Sequence, residues 1–583
     1  MKENLLQDKK IPLKTLFSRT KKYIKKEVKS FIFSLILVIL NVTCSVILPR
    51  VTGFYTDYIS GASPELKIII VLAISTLLLS VVSQLFLFLE NMILVRAGQR
   101  IVYELRMETF SHIESMSQNQ FNNMAVGSLV TRVCSYTSQL SEFFTNVLVT
   151  VIRDLLTIVI VYVWMVALSW QLGLILSAVC ALVFIISFIF SKKVHKLFSD
   201  ERNQMSDLNT YLNECLSGMR IIQIFNQEKR YEKAFCKKSN EYFKTSYNIT
   251  IAFAIYRPLV SLIYVLSIAL IIFMGLKLSL SAGMIVSFYL FVDYFFEPIQ
   301  KLADELNHIT RAATSIERLY NLLDITPEVL DDEDAIELEN FKGKIEFKNV
   351  YFAYEDENWV LKDVSFVVNP GETAAFVGAT GSGKTTILGL IVRNFEVQKG
   401  QILIDDIDIK KIKLSSLRKA VGQMLQEVFL FSGTIKENIT LFDSDYSQEE
   451  IDAAVKYVNA DSFINTLPEQ LETKVVEKGG NFSTGQRQLL SFARTVLHRP
   501  QIMILDEATA NIDTETEHII QDSLEKMKNI GTMLIVAHRL STIQHSDKII
   551  VLSNGEIIET GTHQSLIKKG GYYYNLYKLQ FED

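Results

Sequence analysis

Six apolar runs, each close to the length of a bilayer crossing, fall near residues 30–52, 67–94, 141–168, 171–191, 247–275 and 282–302. About 20 mostly apolar residues at helical rise cover about 30 Å of hydrocarbon, so the runs predict six membrane-spanning helices. After about residue 310 the chain changes to short apolar strands alternating with charged helical stretches, the pattern of a soluble α/β domain. The expected fold is therefore a multi-domain membrane protein: residues 1–310 form a six-helix, all-α transmembrane domain, 311–342 a linker, and 343–583 an α/β domain.

Charge reports on topology. Lys9, Lys10, Lys14, Lys21, Lys22, Lys25 and Lys26 precede the first span, Arg96 and Arg100 follow the second, and Lys192, Lys193 and Lys196 follow the fourth. The positive-inside rule puts those ends, and with them both termini, in the cytoplasm. A basic flank leading into a full-length span predicts a retained first helix and not a cleaved signal sequence. The net charge of -5 offers no basic surface for nucleic acid. Cys44, Cys134, Cys180, Cys215 and Cys236 show no repeated spacing, so neither a zinc site nor a disulfide framework is expected. Between the second and third spans, and between the fourth and fifth, roughly fifty polar, helix-forming residues predict arms that continue beyond the bilayer.

Ionisable residues inside spans are costly and point to pathway groups: Glu90, Arg153, Asp154, Asp293 and Glu297. Arg153 beside Asp154 reads as a pair able to neutralise each other. Asp293 is the leading candidate for cargo contact. It lies among Phe288, Tyr289, Phe291, Tyr294, Phe295 and Phe296, and with Phe288 and Tyr289 it offers an aromatic wall to a lipophilic cation. The same aromatic density also suits plain packing.

In the soluble part, the strand-like run Thr373–Val377 leads into Gly378-Ala379-Thr380-Gly381-Ser382-Gly383-Lys384-Thr385 and then Thr386. This is a phosphate-binding loop. Its glycines let backbone N–H groups curl around phosphate oxygens, Lys384 reaches the outer phosphates, Thr385 suits Mg²⁺, and the next helix points its N-terminus at the anion. Further along, Gln501-Ile502-Met503-Ile504-Leu505-Asp506-Glu507 reads as a buried strand ending in two acids. There Asp506 suits Mg²⁺ and Glu507 suits polarisation of an attacking water.

Asn481-Phe482-Ser483-Thr484-Gly485-Gln486-Arg487-Gln488 resembles the signature sequence of ATP-binding cassette proteins. The order of six spans followed by one cassette is similar to exporter half-transporters of that family, over the whole chain. The resemblance implies that ATP and Mg²⁺ are used and that two chains pair, each signature (Ser483, Thr484, Gly485, Gln486) completing the opposing chain's ATP site. It gives Tyr354 the adenine-stacking role, Gln426 that of a Mg²⁺-sensing glutamine, His538 that of the switch histidine and Asp513 that of a dimer-loop aspartate. Regions around Phe121–Asn123 and Gly218–Phe225 look like the coupling helices with which the arms meet the cassettes.

Two segments depart from the family pattern. Thr484 stands where the signature usually has glycine, and Ala510-Asn511-Ile512-Asp513 replaces the usual dimer loop. With Glu507 retained, this combination resembles the catalytic-Glu-bearing subunit of bacterial heterodimeric multidrug exporters. The resulting expectation is a multi-pass protein of a bacterial plasma membrane that pairs with a non-identical second half-transporter and expels amphipathic compounds. A lipid or peptide exporter and an ATP-gated channel or sensor are the alternatives.

Overall fold

The computed structural model describes residues 13–61, 65–354, 358–424, 428–506, 514–536 and 543–581. They divide into two compact units, the first closing at Ile325 and the second taking Ser115–Asn123 together with everything from Thr326 onward.

The first unit is helical. A short helix α1 (Leu13–Lys26) precedes α2 (Val28–Ile59), α3 (Leu66–Glu114), α5 (Val126–Leu168), α6 (Trp170–Ser217), α8 (Glu228–Lys277) and α9 (Ala282–Leu323). Between these lie the very short helices α4 (Gln118–Asn122) and α7 (Met219–Ile224), at the two places expected for coupling helices. Helices α2, α3, α5, α6 and α8 are each long and apolar enough to cross a membrane, and α9 covers the sixth apolar run. π-helical turns at Arg132–Tyr136 and Phe143–Val147 interrupt the regular winding of α5. The arms are continuous with the spans: α3 runs for 49 residues without a break, and α6 for 48.

The basic flank is held by carboxylates of its own unit. On α1, Arg19 meets Asp324 at 2.7 Å, Lys22 meets Glu108 at 3.0 Å and Lys26 meets Glu104 at 2.7 Å. The Tyr23 hydroxyl donates to Glu108 at 2.6 Å. The ion pairs are half-exposed and each contributes little, but together with buried Tyr23 they fix α1 against α3 and α9.

Within the spans, Arg153 pairs with Glu90 of α3 and not with its sequence neighbour Asp154. Successive residues on a helix point about 100° apart and do not face each other. Glu90 is wholly buried, so the guanidinium supplies the countercharge that this site requires.

The C-terminal end of α2 meets the N-terminal end of α9 backbone to backbone. A Cβ on Gly283 would lie 1.8 Å from the Gly53 carbonyl oxygen, so only glycine fits. Asp57 secures the junction by accepting from the Gly283 N–H at 2.6 Å and from the Ser281 hydroxyl at 2.7 Å, while Ser281 itself caps α9 by accepting from the Met284 N–H. Asp57→Ala is expected to cost about 1 kcal/mol, the usual worth of a lost cap. Hydrogen exchange at Gly283 should quicken accordingly, and an unchanged rate would show the contact to be inert.

The second unit is α/β. Its strands are β1 (Ile345–Ala353), β2 (Trp359–Val368), β3 (Thr373–Val377), β4 (Lys399–Ile404), β5 (Ile407–Asp408), β6 (Val421–Met424), β7 (Gly433–Thr434), β8 (Lys474–Val475), β9 (Ile502–Asp506), β10 (Thr532–Val536), β11 (Lys548–Ser553) and β12 (Glu556–Gly561). The central sheet has the order β12-β11-β3-β10-β9-β6, parallel except for β12, and an antiparallel sheet has the order β2-β1-β4-β5. Central strands are apolar on both faces, as a covered parallel sheet requires. Ala374 and Phe376 of β3, Ile502 and Ile504 of β9, and Leu534 and Val536 of β10 enter one core. The alternate residues Ala375, Val377, Met503, Leu505, Met533 and Ile535 enter the other.

Candidate functional site

β3 runs straight into the phosphate loop, and α10 (Lys384–Ile391) leaves it. Two glycines are sterically required. A Cβ on Gly378 would approach the Leu552 carbonyl oxygen to 2.3 Å, and Gly383 takes φ +102° with Leu361 2.6 Å from where a Cβ would sit. Lys384 folds back over the loop and donates to the carbonyls of Gly378 at 2.8 Å and Ala379 at 3.0 Å. Burial holds its ammonium below the ordinary lysine range, and the negative charge of Asp506 opposes that shift. Ser382 is buried with no protein partner for its hydroxyl among the described residues, whereas Thr385 is exposed at the start of α10. A buried donor without a partner, a desolvated ammonium and a helix N-terminus together make a site for a polyphosphate.

The strands that precede the other expected groups end at one edge of the central sheet. Val536 of β10 is in register with Phe376 of β3 on one side and Asp506 of β9 on the other, and Leu505 pairs with Met424 of β6. All four strands therefore end level with the loop, and Asp506 is close enough to act electrostatically on Lys384. Gln426 follows β6 by two residues, Glu507 follows β9 directly and His538 follows β10 by two. Gln426, Glu507, Asp513 and His538 themselves lie outside the described residues. For Mg²⁺, the expected donors among the described residues are the Thr385 hydroxyl and the Asp506 carboxylate, both hard oxygens. Such a small set suits an ion that keeps most of its shell as water and phosphate oxygen.

Tyr354 stands half-exposed beyond β1, its hydroxyl 3.0 Å from that of Thr386. Phe352 and Phe395 meet its ring edge-on at 4.9 Å and 5.2 Å, which braces the ring and leaves it available for a base to stack on.

The signature segment opens helix α11 (Thr484–Leu497) with a capping box: Ser483 accepts from the Gln486 N–H at 3.2 Å, and the Ser483 N–H donates to the Gln486 side chain at 3.0 Å. Ser483 and Thr484 are exposed, whereas Gly485 is buried. Arg487 donates to the Thr484 hydroxyl at 3.3 Å and to the carbonyl of Phe482. The extra side chain that departs from the family pattern is thus tied to an arginine one turn along.

In the helical unit, residues of α9 separate by face. Phe288, Phe291, Val292, Phe295 and Phe296 are buried in the helical core, while Tyr289, Asp293 and Glu297 are exposed. Phe288 therefore packs inward and does not belong to the expected aromatic wall. What remains is Tyr289 with Asp293, whose carboxylate accepts from the Tyr264 hydroxyl of α8 at 2.5 Å. Spacing alone gives this division, because positions 288, 291, 292, 295 and 296 recur at helical period. Tyr264 is the member of this group that the sequence reading missed, because α8 and α9 are brought together only by folding.

Residues 31–299 match the ABC transporter transmembrane region and 361–510 the ABC transporter family. An uncharacterized ABC transporter ATP-binding protein of Bacillus subtilis, YknV, is 37% identical over 96% of this chain and 93% of its own length. YheH of the same organism, named a probable multidrug resistance ABC transporter ATP-binding/permease protein, is 36% identical over 89% of this chain and 78% of its own. An ATP-dependent lipid A-core flippase of Syntrophus aciditrophicus is 34% identical over 83% of this chain and 81% of its own. The solved structure of a bacterial Atm1-family ABC exporter with ATP bound superposes with a TM-score of 0.80 at 25% identity, over 95% of this chain and 98% of that one.

Proposed function

This chain belongs to the ATP-binding cassette exporters, as a half-transporter whose ATPase is coupled to transport, and on that premise we propose that it expels amphipathic, cationic compounds as one half of an asymmetric dimer. The observation that carries the cargo reading is exposed Asp293, bonded to half-buried Tyr264 and one turn along α9 from exposed Tyr289. An anion set among aromatic rings recognises a lipophilic cation by charge and by ring face together. The name of YheH supports a drug-like cargo, while that of the flippase relative keeps a lipid as the second reading.

In the catalytic cycle, the phosphate loop and Lys384 bind the ATP phosphates, Tyr354 stacks on the base, and the signature of the opposing chain closes over the nucleotide. Glu507 orients the attacking water, and His538 positions the γ-phosphate. Thr385, Asp506 and Gln426 would hold Mg²⁺, which when bound neutralises phosphate charge. Binding draws the cassettes together, and the arms carry that closure to the spans. Both termini are cytoplasmic and the membrane is a bacterial plasma membrane, in keeping with the basic flank.

The asymmetry rests on Thr484, whose side chain adds bulk where the opposing chain's ATP must seat. Inside-out vesicles carrying the chain with its partner should accumulate a cationic dye such as Hoechst 33342 on adding ATP, and Asp293→Asn should lower that uptake about tenfold. Uptake unaffected by Asp293→Asn would remove the cargo reading. Thr484→Gly should raise ATP turnover at the site this signature completes. Full, cooperative turnover at both sites of a dimer of this chain alone would remove the asymmetry.

A further inference from the structure

The linker after α9 does more than connect. In the second unit, Gln120 of the arm-tip helix α4 donates to the Thr326 carbonyl at 2.7 Å and accepts from the Glu328 N–H at 3.3 Å. The Glu328 carboxylate accepts from the Ser117 hydroxyl at 2.9 Å and from the Asn119 amide at 3.2 Å. Ser117 and Gln120 are 4% and 2% exposed and are also the two halves of the capping box that starts α4. The Ser117 hydroxyl and the Gln120 side-chain oxygen thus each make one bond of the capping box and one to the linker, which couples the shape of the arm tip to its hold on the linker.

Two residues further along, the linker is held again. The Leu330 carbonyl accepts from Arg393 at 2.8 Å, and Asp331 accepts from the Leu414 N–H at 2.8 Å. Arg393 is 2% exposed, has φ +56° and is held by Glu396 at 2.7 Å. It stands two residues beyond α10, the helix whose other end forms the phosphate loop. An arginine so buried, in a backbone conformation unusual for its type, is held by its surroundings in one position.

We propose that Gln120 and Glu328 are positioning residues that fasten the first arm's tip to its own chain's cassette, so that nucleotide binding at the phosphate loop is passed through α10, Arg393 and residues 326–330 to α4 in cis. This rests on the transporter reading above. It assigns the first arm a fixed attachment to its own cassette, independent of any docking on the partner.

The test is hydrogen–deuterium exchange on the purified full chain carrying Glu507→Gln, which keeps ATP unhydrolysed. MgATP should slow exchange about tenfold at both Lys384–Ile391 and Gln118–Asn122. In the added presence of Gln120→Ala or Glu328→Ala, slowing at Lys384–Ile391 should persist and slowing at Gln118–Asn122 should be lost. Glu328→Gln, which retains an acceptor oxygen, should keep both. Protection of Gln118–Asn122 that survives Gln120→Ala and Glu328→Ala, or that never responds to MgATP in the parent, overturns the proposal while leaving the nucleotide reading intact. Absence of any response at Lys384–Ile391 in the parent overturns the nucleotide reading and the proposal with it.

Discussion

Glu507→Gln is expected to lower ATP turnover by a factor of about 10² to 10⁴, the usual worth of a positioned general base, while leaving ATP bound. The reason lies in the division of labour along the sheet edge. On the proposed reading phosphate affinity resides in the loop, with Lys384 over the Gly378 and Ala379 carbonyls and the Ser382 hydroxyl buried and unpartnered among the described residues. Glu507 follows β9 in the chain and, on the proposed reading, serves the reaction of water and not the holding of phosphate. Equilibrium binding of a fluorescent ATP analogue, phosphate release and dye uptake should therefore separate, with binding kept and the other two lost together. Turnover close to wild type would exclude Glu507 as the base, and dye uptake that persists without turnover would point to gating in place of pumping.

Lys384→Ala should produce the complementary failure: weaker ATP binding together with a loss of turnover of about 10² to 10³. The ammonium has two functions that alanine cannot supply. It closes the loop on itself through two carbonyls, and on the proposed reading it sets a buried positive charge against the outer phosphates. Because burial already disfavours the charged lysine, bound phosphate and ammonium stabilise each other strongly in this desolvated site. Titration with the ATP analogue should show an affinity at least tenfold lower than that of Glu507→Gln. Equal affinities in the two variants would contradict the assignment of phosphate holding to the loop.

The candidate site was legible in the sequence to the extent that its residues had to be contiguous. A loop of backbone N–H groups needs its glycines in one run, and a signature turn needs its small residues at the head of one helix, so Gly378–Thr386 and Ser483–Gln486 could be read in place. Apolar runs likewise give the spans, because a helix in hydrocarbon must satisfy its own backbone. Pairings across the fold were not legible. Glu90 and Arg153 are 63 positions apart, and reading neighbours as partners led to Asp154, although adjacent helical residues face different ways. The grip of Gln120 on the linker joins residues 206 positions apart, and neither side has a motif: a glutamine near a helix start is explained by the capping box alone. The aromatic cluster around Asp293 lies between these cases, since its composition was plain and only the helical period separates inward Phe288 from exposed Tyr289.

The unbroken length of α3 sets a mechanical ratio. At about 1.5 Å per residue its 49 residues make a rod of about 74 Å, of which the hydrocarbon takes about 30 Å. Pivoting at the bilayer midplane, the rod has one lever arm of about 15 Å and another of about 59 Å. A rotation of about 5° then sweeps the long end through about 5 Å and the short end through little more than 1 Å. So placed, α3 would have a travel ratio of about four to one between its arm tip and its membrane end, so that a small tilt of the span accompanies a large displacement of the arm.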